Sequence, residues 1–206
     1  MSVLVYVEQV DGKFKKSVYE AVSYAKAIAD SQNTNLSAIS IGDVAEVELK
    51  ELGKYGASKV LTVNAGEVKS FVNQAYASII AEAAQTEGAD LIVLSNSFSG
   101  KGLAPRIAVK LKAGLVDGAV ELPNFDGGFS VKKTAFSGKA FAITSLTSAT
   151  KVIALNPNAF GVKENVNDVT ITSFSPAIKS TDLTAIVKEI VRATDKISLP
   201  DAELVV

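Results

Sequence analysis

The chain has 206 residues, 48% of them apolar, which is enough for one large packed domain and excludes wholesale disorder. Its 21 basic residues stand against 22 acidic ones, so a net charge of −1 provides no electropositive field for a nucleic-acid backbone. The absence of His, Cys and Trp rules out histidine triads, thiol nucleophiles, imidazole or thiolate metal centres and dithiol redox chemistry.

In chain order, residues 3–7 form an apolar run closed by the turn signal Asp11-Gly12. Glu8 interrupts that run and no basic segment precedes it, so it reads as a first strand rather than a signal peptide. Ser17, with Glu20 three residues on, fits a helix cap, and Val18, Ala21, Val22, Ala25, Ile28 and Ala29 recur at the spacing of one helical face. Residues 36–41 read as a second strand, 44–55 as a second helix and 59–63 as a third strand. Phe71, Val72, Ala75, Tyr76, Ile79, Ile80, Ala83 and Ala84 mark a long helix stopped at Gly88.

Residues 91–94 are continuously apolar, as a strand buried on both faces of a parallel sheet requires. A glycine-serine loop and a helix follow, its apolar face read as Ile107, Ala108, Leu111 and Leu115. Strands alternating with helices imply right-handed crossovers and a parallel sheet. Farther on, residues 129–135 and 139–146 flank Ser137-Gly138 and read as an added antiparallel hairpin. Residues 151–155 and 169–173 read as further strands, and Leu183, Ile186, Val187, Ile190 and Val191 as a last amphipathic helix. No apolar run approaches the roughly 18 residues of a membrane span, so a cytoplasmic protein is the expectation.

Ligands of open parallel sheets gather beyond the carboxyl ends of the strands, which directs attention to the loop at 97–101. Gly100-Lys101 fails as a phosphate-binding P-loop, because Ser95 and Gly102 stand where glycine and Ser or Thr are needed. A looser anion nest of Ser97, Ser99, Gly100 and Lys101 stays open beside the simpler reading, a strand-to-helix connection capped by Ser99. Arg106 suits bidentate contact with a partner carboxylate, or else an internal pair with Asp117 or Glu121. Glu46, Glu48 and Glu51 read as a solvated helix face, and Asp126-Gly127-Gly128 as a turn. Lys132, Lys133 and Lys139 make a small basic patch on the hairpin. No catalytic residue and no metal ligand set emerges.

The order of these motifs resembles the alpha subunit of electron transfer flavoproteins, over nearly the whole chain. VLVYVEQVDGKFKKSVYEAVSYAKAIA resembles that family's first strand, short turn and long helix. SFSGKGLAPRIAVKL resembles its glycine-lysine, leucine, proline-arginine segment through Gly100, Lys101, Leu103, Pro105, Arg106, Ala108 and Leu111. AFSGKAFA resembles its hairpin turn, with Phe136 and Ser137 in place of the common tyrosine and alanine. KVIALNPNAF resembles a later strand, with Asn156 where arginine is frequent.

The resemblance implies an α/β fold, a Rossmann-like three-layer sandwich of the adenine-nucleotide alpha-hydrolase type, mostly parallel with an antiparallel hairpin. It implies residues 1–197 as the N-terminal domain of the subunit, and 198–206 as a linker and the start of a C-terminal FAD-binding domain. Glu203-Leu204-Val205-Val206 reads as the opening of that domain's first strand, so FAD is expected in the complete subunit and no flavin contact falls on residues 1–206. The implied partners are a beta subunit, which Arg106, Lys132 and Lys139 would help to dock, electron-donating dehydrogenases and a quinone-linked acceptor. The implied activity is electron carriage, not catalysis by side chains. The rival reading is a stand-alone adenine-nucleotide-binding domain that uses the 97–101 loop.

Overall fold

The computed structural model describes residues 2–64, 66, 68 and 70–191. In chain order the elements are β1 (Val3–Tyr6), β2 (Gln9–Val10), β3 (Lys13–Phe14), α1 (Lys16–Ser31), β4 (Leu36–Ile41), α2 (Glu46–Glu51), β5 (Lys59–Val63), α3 (Asn73–Thr86), β6 (Leu91–Ser95) and α4 (Phe98–Leu111). They continue with β7 (Gly114–Ala119), β8 (Phe129–Ala135), β9 (Ala140–Leu146), β10 (Lys151–Leu155) and β11 (Thr170–Ser173). Nine strands form one sheet in the order β11-β5-β4-β1-β6-β10-β7-β8-β9. Pairing is parallel from β11 through β7 and antiparallel for β7–β8 and β8–β9.

Side chains alternate across each strand, so every central strand feeds two cores. Val3, Val5, Ala38, Val93 and Ile153 pack with α1 and Leu49 of α2 on one face. Leu4, Tyr6, Ile39, Ile92, Leu94 and Val152 pack with α3 and α4 on the other, completing a three-layer α/β/α domain. The helical face expected for α1 is buried as expected, from Val18 to Ala29. Asp11 and Gly12, at φ 52° and 75°, form the tight turn between β2 and β3.

Several expectations are corrected. α1 begins at Lys16 and has no side-chain cap, so Ser17 lies inside it. Glu20, 2% exposed, points away from that cap and accepts the N–H groups of Asn158, Phe160 and Gly161 at 2.7, 2.8 and 2.8 Å. Its carboxylate thereby pins the loop after β10 against α1, where a buried charge is satisfied by three donors. The helix expected at 44–55 is α2 followed by a 3₁₀ turn at Leu52–Lys54. Leu115 belongs to β7, because α4 ends at Leu111 with Lys112 in the left-handed conformation, which turns the chain back into the sheet. The helix expected around 183–191 is absent. A 3₁₀ turn covers Ser180–Leu183, where Leu183 packs against the core on the α3–α4 side, while Ile186, Ile190 and Val191 stay largely exposed. The linker and strand expected at 198–206 lie outside the described residues.

Candidate functional site

From β1 the chain winds outward through β4 and β5 on one side and through β6 and β10 on the other. The sheet therefore reverses direction between β1 and β6, and the crevice beyond their carboxyl ends is the expected ligand position. Glu8 follows β1 there and Ser97 follows β6. Ser97 Oγ donates to Glu8 Oε2 at 2.6 Å and accepts the Gly100 N–H at 3.0 Å. Ser97, not Ser99, is thus the cap of α4, and the Lys101 N–H donates to the Ser97 carbonyl at 2.9 Å. Gly100 is buried where a Cβ would lie 1.9 Å from the Ser95 carbonyl oxygen, so no larger residue fits this strand-to-helix turn.

Ser97, Ser99, Gly100 and Lys101 lie together at the start of α4. Ser97 and Gly100 are used internally, and the Glu8 carboxylate already lies against the positive end of the helix. A phosphate entering there would meet that carboxylate.

Beside this crevice, over the ends of β1, β4 and β5, opens a cleft of about 880 Å³. Tyr6, Phe71 and Tyr76 form its apolar wall, with Phe71 and Tyr76 centroids 4.9 Å apart and Tyr6 edge-on to Tyr76 at 6.5 Å. Glu8, Asp11 and Asp43 line its polar side, together with Gln9, Asn64, Ser70 and Ser99, and none of the described lining residues is basic. Burial and the Glu8 charge hold the Tyr6 phenol well above its usual value, and the same two causes push Tyr76 up to about 12. A low-dielectric wall beside carboxylates has the wrong sign for a nucleotide phosphate or a flavin pyrophosphate. The described residues do not fit either group. Val187 and Ile190 reach across to line the same cleft.

Farther along the sheet, Asn96 Nδ2 donates to Asn156 Oδ1 at 2.8 Å, and Asn156 Nδ2 donates to Thr134 Oγ1 at 3.2 Å. Asn156 thus ties the end of β10 to β6 and β8. Arg106 donates to the Gly102 carbonyl at 2.7 Å, beside Pro105, which lacks the N–H that would continue the helix ladder. It pairs with neither Asp117 nor Glu121. Those carboxylates take Lys133 and Lys132 instead, and hydrogen bonding to Lys133 holds the Asp117 carboxyl below its usual range. Of the three hairpin lysines, Lys139 alone has no carboxylate partner among the described residues.

Glu48 is not on a solvated face. It accepts the Phe14 N–H at 3.0 Å and Lys13 Nζ at 2.9 Å, holding the small β2–β3 hairpin to α2. Sequence reasoning missed the contact of Glu8 with the Ser97 cap, whose only visible signal was a charge directly after a buried strand. Among the described residues no cluster of acidic side chains is arranged to hold a metal, and no helix is long and apolar enough to cross a membrane.

A family model described as electron transfer flavoprotein domain matches residues 3–184. The electron transfer flavoprotein subunit alpha of Bacillus subtilis is 26% identical over 205 residues, covering 99% of this chain and 62% of that protein. The subunit of the same name from Thermoanaerobacterium thermosaccharolyticum is 26% identical over 207 residues, covering 98% and 63%. The acryloyl-CoA reductase electron transfer subunit beta of Anaerotignum propionicum is 33% identical over 111 residues, 54% of this chain and 30% of that protein. The chain thus spans less than two thirds of these relatives.

Proposed function

The chain belongs to the electron transfer flavoprotein domain family, and from that premise we propose that it is the N-terminal scaffold of an alpha subunit. With a beta subunit and FAD, the complete subunit would carry electrons from dehydrogenases to a quinone-linked acceptor. The observation that carries this reading is the family match over residues 3–184, with alpha-subunit relatives aligned to 98% and 99% of this chain. The site chemistry supports it. The crevice where a nucleotide would bind is crossed by the Ser97–Glu8 hydrogen bond, which sets a carboxylate at the start of α4, and the adjoining cleft is acidic.

In this reading residues 1–197 are the scaffold and 198–206 lead into a flavin-binding domain. The flavin supplies the redox chemistry and the protein supplies position. This chain's own residues hold the sheet, bridge the crevice and present a surface to the second subunit. The rival, a free-standing adenine-nucleotide domain, is favoured only by the size of the cleft.

The deciding experiment denatures the purified chain and assays the supernatant for flavin and adenine nucleotide. The scaffold reading expects neither. Stoichiometric AMP would establish the nucleotide-binding rival, and stoichiometric FAD would overturn the assignment of the flavin to another domain. Sedimentation with the beta-type subunit of the same source is expected to show a complex.

A further inference from the structure

The two edges of the nine-stranded sheet are built differently. β11 at one edge is four residues long, Thr-Ile-Thr-Ser, and its Thr and Ser side chains suit solvent. β9 at the other edge has seven residues, Ala-Phe-Ala-Ile-Thr-Ser-Leu, with no charge and no proline. Soluble proteins blunt an edge of that kind with Lys, Pro or a covering element, because its unpaired N–H and C=O groups invite another strand. β9 pairs with β8 on its inner side, and no strand among the described residues pairs with its outer side.

The register fixes what each face of the hairpin carries. Phe129 and Leu146, and Val131 and Thr144, are opposite neighbours, and Phe129, Val131 and Leu146 pack into the core on the α1 side. The opposite face pairs Lys132 with Ile143 and Thr134 with Phe141. There Ile143 is 75% exposed and Phe141 61%, and Phe136 at the tip is 83% exposed. Lys132 Nζ lies 4.7 Å from the Phe141 ring centroid and 2.6 Å from Glu121, so its stem extends this apolar strip while its charge is answered internally. Lys139 at the turn is answered by no carboxylate among the described residues.

We infer that the β9 edge and the face made by Phe136, Phe141 and Ile143 are the docking surface for the partner subunit, which brings an apolar strand or hairpin and a carboxylate for Lys139. This rests on the heteromeric reading above. Charge complementarity argues against a second copy of this chain as the occupant. Residues 136–150 contain Lys139 and no acidic residue, so two copies meeting edge to edge about a two-fold axis would leave both lysines without a partner. Exposed aromatic and branched side chains surrounded by paired charges are the usual anchors of such a contact.

The test compares the parent chain with a Phe141→Asp, Ile143→Asp variant, each mixed with the beta-type subunit and followed by sedimentation. Both side chains face outward, so the variant is expected to keep the parent's circular dichroism and melting temperature. Its dissociation constant should rise at least about thirtyfold. A second variant, Lys139→Glu, should weaken the complex most at low ionic strength, with a loss that shrinks as salt screens the new like-charge contact, without touching the apolar strip. Unchanged affinity in the folded double variant would overturn this surface while leaving the heteromeric reading intact. No complex with the parent chain would overturn that reading and this one together. A homodimer of the parent that the double variant dissolves would assign the face to a second copy.

Discussion

Burial is the main force on four phenols of this chain. It pushes Tyr6, Tyr19, Tyr24 and Tyr76 up from the usual value of 10.0, helped by Glu8 at Tyr6 and Tyr76 and by Glu48 at Tyr19. A group whose folded value is raised lends stability that is complete below its unfolded value and is lost as the pH climbs through the folded one. For Tyr76 that window runs from about 10 to about 12. Ultraviolet titration of the phenolate should show Tyr76 ionising near the top of this window and Tyr6 later, with the melting temperature falling over the same range. Glu8→Gln removes a charge that both phenols feel, so their ionisation should move to lower pH. A titration curve identical to the parent's would mean that Glu8 does not face them.

The start of α4 is the element on which the site depends, and its geometry is set by space rather than by backbone freedom. Gly100→Ala would put a methyl group against the Ser95 backbone, where nothing flexible can yield, so β6 and α4 must separate. The expected cost is about 3 kcal/mol, read as a lower midpoint in urea. A midpoint matching the parent's would show that the turn relaxes.

How much of this was legible in sequence depended on range. β1 and β6 announced themselves as apolar runs, β4 as an apolar stretch holding only two small serines, and α1 and α3 as single buried faces, because those signals are local. β7 was hidden by Asp117 and Gly118 inside a short run, and the β2–β3 pair looked like one turn. Around 183–191 the apolar spacing promised a helix, but periodicity does not reveal how much of that face finds a surface to bury it. Ser99 read as the cap of α4, whereas Ser97, two residues earlier, is the one that caps it. The choice between them, and the hydrogen bond across the crevice, depend on Glu8 lying 89 residues away and reaching Ser97 only because β1 and β6 are neighbours.

At the scale of the whole molecule, the two cores lie back to back on one sheet, so loosening either face exposes the same central strands. β1 and β6 are buried along their whole length and paired on both sides. β9 is paired on one side only and has no fully buried residue. Opening free energies in such a domain should therefore run from the full unfolding value at β1 and β6 down toward zero at the β9 edge. Amide hydrogen exchange on the isolated chain should show that gradient, with the β9 amides exchanging fastest among the strands of the hairpin and the parallel sheet. β11, although also an edge, should exchange more slowly than its position suggests. The loop before it is tied to the 3₁₀ turn after α2 by the Asn167 N–H, which donates to the Gly53 carbonyl at 2.9 Å, and by Asn167 Nδ2, which donates to Gly56 at 3.2 Å. If the β9 amides proved as protected as those of β6 without any partner, the edge would already be satisfied within the chain, and its length and lack of charge would need no second subunit to explain them.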